Sequence, residues 1–248
     1  MLIFDKPGNG ESEGDWTMTS LDDMAADAIA AVDFLRAQPG IDPNGVGLWG
    51  HSQAGQVISR TVPQSDRIAF AIVLAGGGIT PREIEEYYYS NQLRQSGASA
   101  DLSAKAMKWV ERYFAFEASG EGYDALVADL DRDPAMKQAL GVSTVYPTPE
   151  QQPKWAWVAT YKPIDDISRI QIPTLLLFAE KDQEGPGARG LAMWREGLRK
   201  AGNAKVEGKL FPGADHHFFV ESPAGGWPEL SPDYYGYQID WLDRLFGK

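Results

Sequence analysis

The chain contains no cysteine. That excludes disulfides, thiolate nucleophiles and cysteine-ligated zinc, and it leaves the redox compartment undetermined. Histidine is scarce: His51, His216 and His217 are the only three, and they lack the helical spacing of zinc ligands. No metal or organic cofactor is implied. Positive charge is also in deficit, with 23 Lys and Arg against 35 Asp and Glu and a net charge of −12. A surface that negative repels phosphate backbones, which argues against a nucleic-acid partner, and charges spread this evenly read as a solvated acidic surface. No stretch approaches the roughly 18 consecutive apolar residues of a membrane helix, so no membrane partner is expected. The N-terminal Met1-Leu2-Ile3-Phe4-Asp5 has neither the basic start nor the long apolar core of a signal peptide. The expectation is a soluble protein, cytoplasmic by default.

What is present is an ordinary globular composition, 43% hydrophobic and 23% charged over 248 residues. This suits one large domain, or one domain carrying a substantial insertion. Leu2-Ile3-Phe4 reads as a short buried strand that begins in mid-element, as if something upstream were absent. A Gly/Pro loop follows from Lys6 to Gly14. Ser20 is an N-cap candidate, and Met24, Ala28, Val32 and Leu35 recur at helical spacing until Pro39-Gly40. Val46–Trp49 and Ile68–Leu74 read as buried strands flanking a short helix, Ala54–Val62. Strand and helix in alternation imply a mostly parallel sheet with helices on both faces, an α/β fold.

The alternation stops at Thr80-Pro81, an N-cap followed by proline at the first helical position. From there to Tyr161 the patterns are helical, including Leu102–Phe116 and Pro134–Leu140. The sheet pattern resumes with Thr174–Phe178, a helix near Gly187–Ala201, a strand around Val206–Phe211 and a last helix, Tyr234–Phe246. The expected organisation is a core of residues 1–79 and 162–248 with a helical lid at 80–161.

The strongest chemical signal is Gly50-His51-Ser52-Gln53-Ala54-Gly55, placed between a strand and a helix. A sharp turn there exposes the Ser52 hydroxyl, and the small residues Gly50 and Ala54 let the turn close. The following helix presents backbone N–H groups and its positive dipole end to developing negative charge. The bland alternative is a serine that merely caps a helix. A serine hydroxyl needs a base. His51 adjoins it and should point away from it, in a structural role. One of His216 and His217, just past the strand ending near Phe211, is the base, and His216 is favoured. The base needs a carboxylate to orient it. Asp182 directly follows an apolar strand, where α/β sheets place their sites; Glu184, Asp215 and Asp165 are rivals less well placed.

These segments together resemble the α/β-hydrolase superfamily, in its lipase-, esterase- and peptidase-like branch. The resemblance rests on Phe4-Asp5-Lys6-Pro7-Gly8-Asn9-Gly10-Glu11-Ser12, the turn around Ser52, Ile172-Pro173-Thr174-Leu175 leading to Asp182, and Gly213-Ala214-Asp215-His216. The order Ser52, Asp182, His216 also suits that fold. The resemblance implies Ser52 as nucleophile, His216 as base, Asp182 as its acid and the 80–161 insertion as a lid over the site.

Ala54 stands where the family's turn has glycine, a change of one methyl group. In the family, further strands and a His-Gly type loop precede the segment matched by Leu2–Asp5, and here nothing does. The N–H of Gln53 supplies one oxyanion donor, while the second has no assigned source. Loss of one donor slows turnover by about 10²–10³-fold. The departure has three explanations: truncation, a homo-oligomer formed through the exposed sheet edge, or a replacement donor from the Gly8–Gly10 or Gly76–Gly78 loops.

The lid is rich in aromatics, of which Tyr88, Trp109, Tyr113 and Trp157 are candidate substrate contacts in an apolar or aromatic acyl pocket. The substrate expected is a small-molecule carboxylic ester. Amide or peptide hydrolysis and acyl transfer use the same triad. A non-catalytic binding module, crippled by the missing oxyanion loop, is the alternative of another class.

Overall fold

The computed structural model describes residues 1–222 and 225–247. In chain order it contains α1 (Leu21–Arg36), β1 (Leu48–His51), α2 (Ala54–Thr61), β2 (Ala71–Leu74), α3 (Pro81–Gln95), α4 (Ala100–Ser119), α5 (Tyr123–Arg132) and α6 (Pro134–Leu140). Single turns α7 (Gln152–Trp155) and α8 (Trp157–Thr160) and the short α9 (Pro163–Ile167) follow. The chain closes with β3 (Thr174–Ala179), α10 (Gly187–Lys200), β4 (Val206–Phe211), the two-residue strands β5 (Phe219–Val220) and β6 (Glu229–Leu230), and α11 (Tyr234–Phe246). None of the helices among the described residues is long and apolar enough to cross a membrane.

Two compact units divide these elements, with the boundary falling inside α1. One comprises Ala28–Ile79 and Pro163–Lys248 and carries the sheet. Its strands run in the order β1-β2-β3-β4, all parallel, with His51 level with Leu74 and Leu74 level with Leu177. Every residue of β2 and β3 is buried, as a parallel strand covered on both faces requires. The alternation of the strand sends Ile72, Leu74, Leu175, Leu177 and Ala179 to one face, against Phe211, Phe218 and Trp241. Ala71, Val73, Leu176 and Phe178 face the other side, against Val32, Ile58, Leu191, Trp194 and Leu198. The spacing of Leu191, Trp194 and Leu198 is one helix stripe, which is why α10 lies down on that face. At the edge of the sheet, β1 leaves Trp49 58% exposed, with its indole N–H donating to Gln238 on α11 at 2.9 Å.

The other unit comprises Met1–Asp27 and Thr80–Lys162 and is helical. Its first residues do not form the strand expected at Leu2–Phe4. A strand needs a neighbour for its N–H and C=O groups, and none of the described strands pairs with this segment. It stays irregular, with Ile3 78% exposed. Local signals elsewhere act as expected. Ser20 and Asp23 exchange bonds across the first turn of α1, and Thr80 accepts from the Glu83 N–H at 3.2 Å with Pro81 behind it. Asp133 caps α6 through the Met136 N–H, and Gly141 closes it in a left-handed conformation. The core of the unit gathers Trp109, Val110, Tyr113, Phe114, Phe116, Leu126, Leu130 and Leu140. Phe114 and Phe116 are completely buried, and each such side chain contributes about 2–3 kcal/mol.

Candidate active site

Ser52 sits where β1 hands over to α2, at a φ of 59°, a left-handed conformation that a non-glycine residue adopts only when its surroundings impose it. The imposition is visible. The Ser52 N–H donates to the Leu74 carbonyl at 2.8 Å and its own carbonyl accepts from Gly55 at 2.9 Å. Gly76 closes the other side: a Cβ there would lie 1.8 Å from the Ser52 carbonyl oxygen, so only glycine fits. At Gly50 a Cβ would come within 2.6 Å of the Ala54 methyl group. The turn is thus held by the next strand as well as by its own small residues. Gln53 occupies the N-cap position of α2 with helical backbone angles.

Asp182 lies in the loop after β3 and is 2% exposed. Its Oδ1 accepts from the backbone N–H groups of Glu184 and Gly185 at 2.8 and 3.0 Å, which pins the carboxylate. Its Oδ2 stands 2.8 Å from His216 Nδ1. A carboxylate can only accept, so Nδ1 carries the proton and Nε2 is left with the lone pair. Among the described residues buried Nε2 has no hydrogen-bond partner, and the Glu184 Oε2 carboxylate oxygen lies 3.4 Å from it. Ser52 is therefore not bonded to it in this arrangement. Burial penalises the imidazolium, but the Asp182 bond and the charges of Asp182, Glu184 and Asp215 outweigh that and hold His216 above the ordinary histidine value.

The loop that carries His216 is tied down on several sides. The Lys181 N–H donates to the Ala214 carbonyl at 2.8 Å and the Gly213 N–H to Glu180 at 2.8 Å. Asp215, a rival for the acid, instead accepts from the backbone N–H groups of His217 and Phe219 at 3.0 and 2.8 Å and so shapes the loop itself. Asp165 is exposed on α9. His217 is exposed, and among the described residues only His216 of the pair reaches a carboxylate through its ring.

His51 links the two halves. Its Nε2 stands 2.8 Å from the His216 carbonyl oxygen, an acceptor, so Nε2 is the protonated nitrogen and donates. The rings of His51 and His216 are 4.7 Å apart. Burial, first, and the neighbouring histidines push the His51 pKa down. Sequence reasoning assigned His51 a structural role without this bond, and it named the Gly76–Gly78 loop only as a possible oxyanion donor, not for the fit of Gly76 against Ser52. The signals existed: His51 precedes the nucleophile candidate, and Gly76 leaves β2 two residues beyond Leu74, the residue level with His51.

In the helical unit, Trp109 and Tyr113 stack in parallel at 5.6 Å inside the core. The Trp109 indole donates to the Leu126 carbonyl at 3.1 Å. Tyr88 and Trp157 are half-buried at the margin of that core. Among the described residues no three His, Asp or Glu side chains are grouped to hold a metal ion.

Residues 1–226 match the family described as the alpha/beta hydrolase family. A 56-residue stretch is 46% identical to a thiohydrolase, aneE, of Aspergillus aculeatus, covering 22% of this chain and 18% of that protein. The aligned parts of the curated relatives amount to 18% to 66% of their own lengths. Among solved structures, a monoacylglycerol lipase of Paleococcus ferrophilus superposes with a TM-score of 0.56 at 18% identity, over 98% of this chain and 82% of that one. The alpha/beta hydrolase GrgF of Penicillium sp. sh18 does so with a TM-score of 0.54 at 16% identity, over 96% and 77%. At such identities these two share the fold with this chain.

Proposed function

The chain belongs to the alpha/beta hydrolase family, and from that premise we propose that it is a serine hydrolase of carboxylic esters. The observation that carries the reading is the buried Asp182–His216 pair, 2.8 Å apart and tethered through His51 to the strained turn that presents Ser52. His216 Nε2 takes the Ser52 proton as Oγ adds to the acyl carbon, and Asp182 stabilises the imidazolium that forms. The N–H of Gln53 faces the developing oxyanion from the start of α2. Collapse expels the leaving group, which takes the proton from Nε2, and leaves the acyl group on Ser52. Water, deprotonated by the same nitrogen, then releases the acid.

The relative named a thiohydrolase extends the proposal to substrates whose scissile bond is to sulfur. In this reading residues 80–161 form a lid, with Tyr88 and Trp157 as candidate substrate contacts.

The test is hydrolysis of short p-nitrophenyl esters and the matching thioesters by the purified chain and by Ser52→Ala. Activity that disappears in the variant, and in His216→Ala but not in His217→Ala, supports the reading. Equal turnover with and without Ser52, or loss on replacing His217 instead of His216, overturns it.

A further inference from the structure

We propose that Glu184 determines leaving-group specificity at this site, favouring acyl substrates whose departing alcohol, thiol or amine is neutral or cationic over those whose leaving group is anionic. The inference rests on the reading of His216 as the base. His216 has two acidic neighbours in different positions. Asp182 sits at Nδ1, buried, and orients the ring. Glu184 sits at Nε2, 3.4 Å away, and its side chain is 50% exposed. Nε2 is the atom that hands a proton to the leaving group, so the leaving group passes beside this carboxylate.

The placement is built in. The Glu184 N–H is bonded to Asp182 Oδ1 at 2.8 Å, so the acid that orients the base also fixes the backbone of the second acid. Among the described residues no hydrogen bond occupies Nε2, and the Glu184 carboxylate lies 3.4 Å from this nitrogen. The other titratable groups around the ring do not duplicate it. Asp215 is held by its own loop's N–H groups, and His51 and His217 contact His216 from its ring and backbone sides.

A charge this close to the departing atom acts on it directly. An ammonium on the leaving group is attracted and a carboxylate or phosphate is repelled, both within a few ångströms and only partly screened at a half-exposed site. Glu184 also favours the imidazolium, so its loss lowers the pH at which His216 titrates.

The experiment compares two butyrate esters, one of choline and one of 3-hydroxypropanoate, in wild type and in Glu184→Gln. The ratio of their kcat/KM values is expected to fall about tenfold in the variant, a change mainly in the anionic ester's favour. In parallel, NMR titration of the His216 ring in both proteins is expected to move down by about half a pH unit in the variant. An unchanged ester ratio overturns the inference, and so does an unchanged His216 titration. If wild type hydrolyses neither ester nor any p-nitrophenyl ester, the hydrolase reading itself fails, and the titration, which needs no turnover, still decides whether Glu184 acts on His216.

Discussion

Replacing Glu117 by glutamine should remove a pH-dependent weakness from the helical unit. Glu117 lies on α4, 1% exposed, and its Oε1 is 2.9 Å from the Tyr113 hydroxyl. That hydroxyl is also 2.7 Å from the Tyr146 carbonyl, which can only accept. One hydroxyl proton cannot serve both. If it goes to the carbonyl, the contact with Glu117 needs a proton on the carboxyl, and Oε2 is buried with no hydrogen-bond partner among the described residues to stabilise a charge. Burial accordingly pushes the Glu117 pKa from 4.5 up to about 8; the Tyr113 bond opposes this and nearby Glu85 adds to it. Glu85 is itself raised to about 7 by burial.

The sign follows from proton uptake. The folded chain keeps a proton that the unfolded chain releases near pH 4.5, so stability is full below that pH and is lost as pH rises towards about 8. Each pH unit in that window costs about 1.4 kcal/mol, so wild type loses on the order of 4 kcal/mol between pH 5 and pH 8 through this group. Glu117→Gln keeps the shape and cannot ionise. Urea unfolding at both pH values, followed by the fluorescence of Trp109, Trp155 and Trp157, should show the variant close to wild type at pH 5 and several kcal/mol more stable at pH 8. A stability difference between the two proteins that is the same at both pH values would refute the reasoning.

Other outcomes follow from the sheet-bearing unit. Ester hydrolysis should rise with pH as His216 loses its proton, with a midpoint above the ordinary 6.5 because His216 is held up; a midpoint at or below 6.5 in a pH–rate profile would contradict this. His51→Phe should lower kcat about tenfold at nearly constant KM by freeing the His216 carbonyl, and His51→Gln, which restores a donor at the same reach, should recover most of it. Equal kinetics for the two variants would remove the tether from the account. Gly76→Ala should cost about 10²-fold in turnover and lower the melting temperature, since its Cβ would meet the Ser52 carbonyl. Gly236→Ala, in open space on α11, should instead stabilise by about 0.5–1 kcal/mol in thermal melts.

Much of this protein is legible in local pattern, because helices, buried strands and caps depend on near neighbours in the chain. Thr80-Pro81, Asp133 and Gly141 set helix ends by bonds spanning three or four residues, and the apolar run Leu175–Ala179 has no stable place except between two covered faces. Ser52, Asp182 and His216 could be nominated for the same reason: each immediately follows a strand or its loop, where a parallel sheet exposes side chains at one edge. What the chain order cannot carry is contact across long separations. Leu2–Phe4 has the composition of a strand and stays irregular, because pairing is a property of two segments and none of the described strands pairs with it. The pairing of the His216 ring with Asp182 and not Asp215, the bond from His51 to the His216 carbonyl, the fit of Gly76 against Ser52 and the approach of Glu184 to Nε2 all join residues whose distance in the sequence says nothing of their distance in space. Only the packing of β1 to β4 with their loops decided them, because hydrogen bonds and close contacts act over about 3 Å, wherever along the chain the partners originate.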